Sequence, residues 1–257
     1  MIYLKSPSEV NEIDYVNKLG IEVLNICYDH IKPGIISLEL EELLLRFCLT
    51  HKVKPSFRNY KGFPHNLCVS INEEVVHGFP NSRIIKDGDV VSVDIGLIRN
   101  GYYSDAAFTK LVGNIGIKSK ELVRTTYECL HVGIERALVG NRISDIGNAI
   151  QSHANRMGFD VVRDFVGHGV GIAVHEPPKI PNYMSSHIIN WKLRPGMVIA
   201  IEPILVEGDH AVCMSYNKWT ILTKDGGLSA HFEQSIAISE GGPKILGGKS
   251  IWGYEKQ

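Results

Sequence analysis

Four carboxylates stand in stretches that otherwise read as buried β-structure, and this constrains the fold more than any other feature. Asp94 sits in VVSVDIG, Glu202 in MVIAIEPIL and Glu233 in SAHFEQSIAI, while Asp105 follows Tyr102-Tyr103-Ser104. Short apolar runs bounded by turn residues are strand signals. Burying one unpaired carboxylate costs several kcal/mol, against a whole-domain stability of about 5–15 kcal/mol. A chain that keeps such charges must bring them a compensating cation. Basic side chains are scarce in these segments, so a metal ion is the economical partner.

Register sharpens the case for the first pair. Asn100-Gly101 is a two-residue hairpin signal. It sets Arg99 opposite Tyr102 and Asp105 opposite Gly96, absent a bulge. Asp94 then projects on the same face as position 96, a diagonal neighbour of Asp105 with α-carbons about 7–8 Å apart. His168, in VGHGVGIAVHEPP, adds a neutral imidazole between glycines that let backbone or ligand approach closely. One histidine and four carboxylates exceed the three protein ligands usual for a catalytic zinc. Four negative charges balance two divalent cations. The oxygen-rich set suits Mn, Fe, Co or Mg-like ions at least as well as zinc.

Each residue also has a plainer reading. Asp94 would serve as a turn cap at a strand end, and Glu233 could share an exposed polar face with His231 and Ser235. His168 could be a turn histidine. Glu202 has the poorest such alternative, because a glutamate centred in an apolar strand needs a partner.

The remainder of the chain supplies an ordinary scaffold. Its 257 residues are 44% hydrophobic and 21% charged, enough for a full core and no disordered chain. Lys+Arg number 27 against 28 Asp+Glu, leaving no basic excess to grip a phosphate backbone and so arguing against specific nucleic-acid binding. No apolar run approaches the ~20 residues that cross a bilayer. The N-terminal MIYLKSPSEVNEID turns acidic where a secretory leader turns apolar. The five cysteines are widely spaced without a CxxC pair, which argues against a disulfide framework and for a reducing compartment, the cytoplasm by default.

Helices are expected from a capping box at Ser6-Pro7-Ser8-Glu9 to Pro33-Gly34, from Ser37 towards Pro55, and over 119–138 and 144–157. Strands are expected near 67–71, 90–95, 102–112, 160–163, 198–205, 219–223 and 230–238. Their clustering without strict βαβ alternation indicates an α+β fold with a largely antiparallel sheet. The division expected is a single domain over 1–240 and a Gly- and Lys-rich, partly disordered tail over 241–257.

The ordered set Asp94, Asp105, His168, Glu202, Glu233 resembles the dinuclear ligand set of the creatinase-like "pita-bread" metallopeptidases. Within that group the chain is similar to type I methionine aminopeptidases of the compact bacterial form. The likeness runs from about residue 5 to 240 through NEEVVHGFP, DIGLIRNGYYSD, GHGVGIAVHEPPKIPNY, LRPGMVIAIEP and WTILTKDGGLSAHFEQSI. Five such segments in the right order are a specific signal.

The resemblance implies a pseudo-twofold fold with the metal site inside a curved antiparallel sheet. It also implies metal-assisted removal of the N-terminal methionine from nascent polypeptides, using two divalent ions (Mn, Fe, Co, Zn or Ni). Glu202 would carry a proton in addition to its ligand role. His175 would stabilise the developing oxyanion, and His77 would contact the substrate backbone. Tyr60, Phe63, Cys68 and Trp219 would form the methionine slot, with Phe57 where many bacterial members have a smaller residue and Val174 where an aromatic is frequent. Gly96 stands where some members have threonine. A cytoplasmic monomer working near the ribosome, with no membrane partner, completes the expectation. Two other readings remain open: a proline-specific exopeptidase of the same fold, whose relatives usually carry more chain before the first aspartate, and a non-catalytic binding module.

Overall fold

The capping box at Ser6 forms as the sequence dictates. In this computed structural model, which describes residues 2–248, the Glu9 N–H donates to Ser6 Oγ at 3.3 Å and the Ser6 N–H donates to the Glu9 carboxylate at 2.7 Å. It opens α1 (Pro7–His30), followed by α2 (Leu38–His51), α3 (Ile117–Glu135) and α4 (Ile143–Arg156). The strands are β1 (Lys54–Pro55), β2 (Cys68–Ile71), β3 (Glu74–Val76), β4 (Val90–Arg99), β5 (Tyr102–Leu111), β6 (Asp160–Val161), β7 (Gly167–Gly169) and β8 (Glu176–Ile180). They continue with β9 (Val198–Ile201), β10 (Ile204–Val206), β11 (Val212–Met214), β12 (Ile221–Thr223), β13 (Ser229–His231), β14 (Glu233–Ser239) and β15 (Gly242–Ile245).

The main sheet runs β1-β4-β5-β14-β9-β7-β8, with β2 also on β4 and β15 on β14. Its pairings are antiparallel. α1 lies across β4 and β5, and α3 packs on α4. The core gathers side chains from both layers, among them Val16, Leu24, Val93, Ile95, Phe108, Leu130 and Ile199.

The hairpin has the register that a two-residue loop demands. Arg99 pairs with Tyr102 and Gly96 with Asp105, and Asn100 and Gly101 take φ of 52° and 82°. Both values are positive, as a type I′ turn requires.

Two long strands expected from the sequence are each broken. The run expected over 198–205 divides at Glu202-Pro203 into β9, in the main sheet, and β10, in a small sheet ordered β13-β10-β6. Proline has no N–H to give a ladder, so the chain leaves one sheet there. The run over 230–238 divides at Phe232 in the same way, and β10 pairs with β13. Glu202 and Glu233 therefore both sit where the chain changes sheets. Glu202 lies just past the end of its strand, not at the centre.

Several short strands were not expected: β1, β3, β7, β8, β11 and β15. Of the tail set apart at 241, Gly242–Ile245 pair with β14 and the Leu246 N–H donates to the Ser235 carbonyl at 3.0 Å. Asp14 of α1 accepts the Gly247 N–H at 2.8 Å and Lys244 Nζ at 3.0 Å. Residues 249–257 lie outside the described residues.

Candidate active site

Five neighbouring strands of the main sheet each bring one side chain to a common point. Asp94 comes from β4, Asp105 from β5, Glu233 from the first position of β14, Glu202 from the end of β9 and His168 from β7. The ladder aligns them. Asp94 and Glu233 both pair with Ala107 of β5, and His168 pairs with Ala200, two residues before Glu202. The glycines beside His168 serve the backbone. A Cβ at Gly167 would lie 2.4 Å from the Ala200 carbonyl oxygen, and one at Gly169 would lie 2.4 Å from that of Pro177.

The groups converge without bonding one another fully. His168 Nε2 stands 3.6 Å from Glu202 Oε1, 3.7 Å from Asp105 Oδ2 and 4.0 Å from Glu233 Oε1. Its Nδ1 lies 2.9 Å from the Gly169 carbonyl, and an Nδ1–H donated there leaves Nε2 with its lone pair facing the carboxylates. Asp94 Oδ1, Asp105 Oδ1 and Glu233 Oε1 are buried without a hydrogen-bond partner. Burial pushes the Asp94 carboxyl up to about 7 against the lowering effect of a hydrogen bond with Asp105, and burial together with repulsion from Asp94 pushes Glu202 up to about 8. Asp105 and Glu233 are driven well above the carboxylate range by burial and then by repulsion from the other carboxylates of the cluster. Burial lowers His168 to about 4, so its imidazole is neutral.

A divalent ion fits this arrangement. Ligands about 2.1 Å from one ion lie roughly 3–4 Å from each other. The donor atoms of Asp105, His168 and Glu233 lie within 4.8 Å of one another. A surface group, Asp160, Asp209 and His210, satisfies the same distance limit. There His210 Nδ1 and Asp160 Oδ2 meet at 2.8 Å and satisfy each other. The interior set has no such closure, and a cation supplies it.

The cavity in front of these groups measures about 350 Å³, and the five acidic-cluster residues, His77, His175, Tyr60, Phe63, Cys68, Trp219 and Phe57 all line it, whereas Val174 and Gly96 stand behind that lining. Its far wall is apolar: Phe57, Phe63, Cys68 and Val174 form a buried cluster with Tyr60, Tyr103, Phe79 and Trp219 around it. Phe63 meets Trp219 edge-on at 5.2 Å. Burial pushes the Cys68 thiol well up, making it a neutral wall. Phe57 owes its place to Gly96, because a Cβ there would come within 2.5 Å of Phe57 Cε1. Two of the three departures noted in the sequence, Phe57 and Gly96, are thus one spatial event.

The two further histidines flank the acidic cluster. The His175 ring lies 4.1 Å from that of His168 and stacks on Tyr60. Its Nδ1 is 3.0 Å from the Tyr60 hydroxyl, and desolvation, helped by nearby His168 and Lys61, lowers it to about 3. His77, at φ 58° just past β3, packs edge-on against Phe165 at 5.3 Å, and burial lowers it to about 4.

His231 is the titratable residue beside the acidic cluster that the sequence reading missed; Lys61, Val76, Asp164, Phe165, Val166 and Lys179 also line the cavity unforeseen. His231 is buried, its Nε2 lacks a hydrogen-bond partner, and it faces Glu202 Oε2 at 3.9 Å. Its spacing of two from Glu233 was the available signal, but the sequence reading named His231 only in the plainer alternative, as a companion of Glu233 on an exposed face.

Comparison with known proteins agrees with this anatomy. The profile of metallopeptidase family M24 matches residues 11–240. Methionine aminopeptidase of Clostridium perfringens is 46% identical over 246 residues, covering 96% of this chain and 98% of that one. The solved methionine aminopeptidase of Thermotoga maritima superposes with a TM-score of 0.94 at 42% identity, over 97% of this chain and 100% of its own. A prolidase from Pyrococcus furiosus, 21% identical, shares the fold with a TM-score of 0.75 over 96% of this chain and 66% of its own. The curved antiparallel sheet with its flanking helices is the pita-bread fold, and the chain belongs to metallopeptidase family M24, on its methionine aminopeptidase branch.

Proposed function

We propose that this protein hydrolyses the first peptide bond of polypeptides and peptides that begin with methionine. One observation carries the reading: a cluster of buried, partly unsatisfied carboxylates and an imidazole faces an aromatic-lined slot across one cavity. Asp94, Asp105, His168, Glu202 and Glu233 would hold a pair of divalent ions, drawn from Mn, Fe, Co, Zn or Ni. When bound, such ions supply Lewis-acid activation of water and of a carbonyl near neutral pH.

The chain's own residues do the rest. A Tyr60 hydroxyl donating to His175 Nδ1 leaves the His175 Nε2–H to donate to the scissile carbonyl oxygen as negative charge develops there. Because His175 is neutral at pH 7, it serves as a hydrogen-bond donor without having to lose a proton. Glu202 takes the proton of the attacking water and delivers it to the departing amine. Tyr60, Phe63, Cys68 and Trp219 receive the flexible thioether side chain, whose sulfur packs well on ring edges, with Phe57 narrowing that wall. His77 contacts the substrate backbone. On the same reading the enzyme works as a monomer in the cytoplasm, on nascent chains near the ribosome. The structure contains no helix among the described residues long and apolar enough to cross a membrane.

The test is turnover of Met-Ala-Ser by chelated protein, with and without added Mn, Co or Fe, beside Ala-Pro-Gly as the proline-specific control. Metal-dependent release of methionine alone is expected. Undiminished turnover after chelation defeats the metal reading, and preference for Ala-Pro-Gly replaces methionine by proline specificity. Tight metal binding without hydrolysis of either peptide would make the chain a binding module.

A further inference from the structure

We infer that Lys5, remote in sequence from every cavity residue, is a positioning residue for His175, acting through a buried ion pair with Glu176. This deepens the function proposed above and rests on it.

Lys5 Nζ and Glu176 Oε2 meet at 2.5 Å, with side chains only 1% and 7% exposed. Both ends of the pair are tied to backbone. The Lys5 N–H donates to the Gly196 carbonyl at 2.7 Å, and Gly196 in turn donates to Ile238 of β14 at 3.1 Å. The second oxygen of Glu176 accepts the N–H groups of Ile172 and Ala173 at 2.6 and 3.1 Å. The Gly171 carbonyl accepts the Tyr103 N–H at 2.8 Å. The loop 171–175 is thus gathered around one carboxylate, and a cation fixed to the main sheet anchors that carboxylate.

His175 is the residue immediately before Glu176, at the open mouth of the cavity. Its ring is held by the Tyr60 hydroxyl, the stacked Tyr60 ring and the His168 ring 4.1 Å away. These contacts hold the ring and not the backbone that carries it; the Glu176 knot holds the backbone.

Two features separate this pair from a general staple. A buried ion pair is commonly no more stabilising than well-packed apolar residues of the same volume, so stability alone gives no reason for charge here. And Glu176 spends its remaining oxygen on the two loop amides that lead to the histidine, an arrangement that fixes direction. Catalytic donors are sensitive to such support, since a misplacement of about 1 Å can cost 10²-fold in rate.

The experiment is a double-mutant cycle on the metal-loaded enzyme with Met-Ala-Ser, using Lys5→Met and His175→Ala singly and together. Lys5→Met is expected to lower kcat about 10–100-fold with KM changed less, and to leave Mn affinity for the metal-free protein unchanged. In the His175→Ala background it should cost less than about twofold, and hydrogen exchange at the Ile172 and Ala173 amides should accelerate at least tenfold. Equal losses in both backgrounds would make the pair a general structural staple, and unchanged kinetics in Lys5→Met would also overturn the inference. If Lys5→Met does not fold, Glu176→Gln, which keeps the shape and the amide acceptor but loses the charge, carries the same cycle. If the wild-type protein fails to cleave Met-Ala-Ser, the proposed function falls, and the exchange measurement still decides whether Lys5 holds the loop.

Discussion

The two walls of the cavity are built on opposite principles. The acidic wall is made of side chains from consecutive strands of one sheet, held in place by ladder register, and it costs stability: its carboxylates are buried, mutually repelling and partly without partners. The aromatic wall comes mainly from loops and strand ends, and it contributes stability in the ordinary way, by burying Phe57, Phe63 and Val174. One wall is kept for chemistry at the expense of the fold, and the other does both jobs at once. The distinction predicts that substitutions on the two sides separate activity from stability in opposite senses.

The largest effect is expected from Asp105→Asn or Glu233→Gln. Turnover should fall by about 10³-fold or more, on the proposed reading that these carboxylates hold the metal that activates water. The melting temperature of the metal-free protein should nevertheless rise, because the cost of burying or neutralising a carboxylate among its like is gone. A fall in melting temperature would show that these carboxylates support the fold. Next comes His175→Ala, expected to lower kcat by about 10²–10³-fold with little change in metal affinity; a change confined to KM would remove the oxyanion role.

On the aromatic side, Phe63→Ala should destabilise the protein by about 3–5 kcal/mol and raise KM, leaving the bound ions in place. Gly96→Thr should cost about 1–3 kcal/mol by driving a side chain into Phe57. Adding Phe57→Cys should recover most of it, and strict additivity of the two would refute the coupling.

The smallest effect is a pH dependence, and its sign differs from the usual carboxylate case. Asp94 and Glu202 have folded-state values raised to about 7 and about 8. These carboxyls make the native state bind more protons than the unfolded chain, and stability falls as pH rises through their titration. Below about pH 6.5 the buried imidazoles of His77, His168, His175 and His231, lowered to about 3–4, act in the opposite sense. The melting temperature of metal-free protein should therefore drop mainly from about pH 6.5 to pH 8. With Mn bound, the trend should flatten or reverse, because ion binding displaces those protons.

How much of this was legible in the sequence follows the same division. Asp94 and Asp105 were readable because a two-residue turn fixes register, and register carries a side chain's direction eleven residues along the chain. Glu202 and Glu233 stood out as charges among apolar neighbours, yet their sheet changes at Pro203 and Phe232 did not, since a break decided by which strands lie alongside leaves little local mark. β7, with the sequence Gly-His-Gly, and β1, two residues ending in proline, have no strand propensity of their own; pairing with distant strands makes them. His231 went unnamed as a site residue because nothing local shows that it ends β13, in the small sheet, where the chain turns into β14. Lys5 offered no signal: its partner lies 171 residues away.

The hold of Asp14 on Lys244 and Gly247 ties the first helix to the strand that opens with Glu233. β15 runs along β14 from Ile236 to Ser239, and Asp14 clasps the segment at both ends of its turn back to α1. A cut between Ser239 and Gly242 would remove that strand neighbour and these two partners of Asp14. It would loosen the frame that carries Glu233 without touching any residue of the cavity.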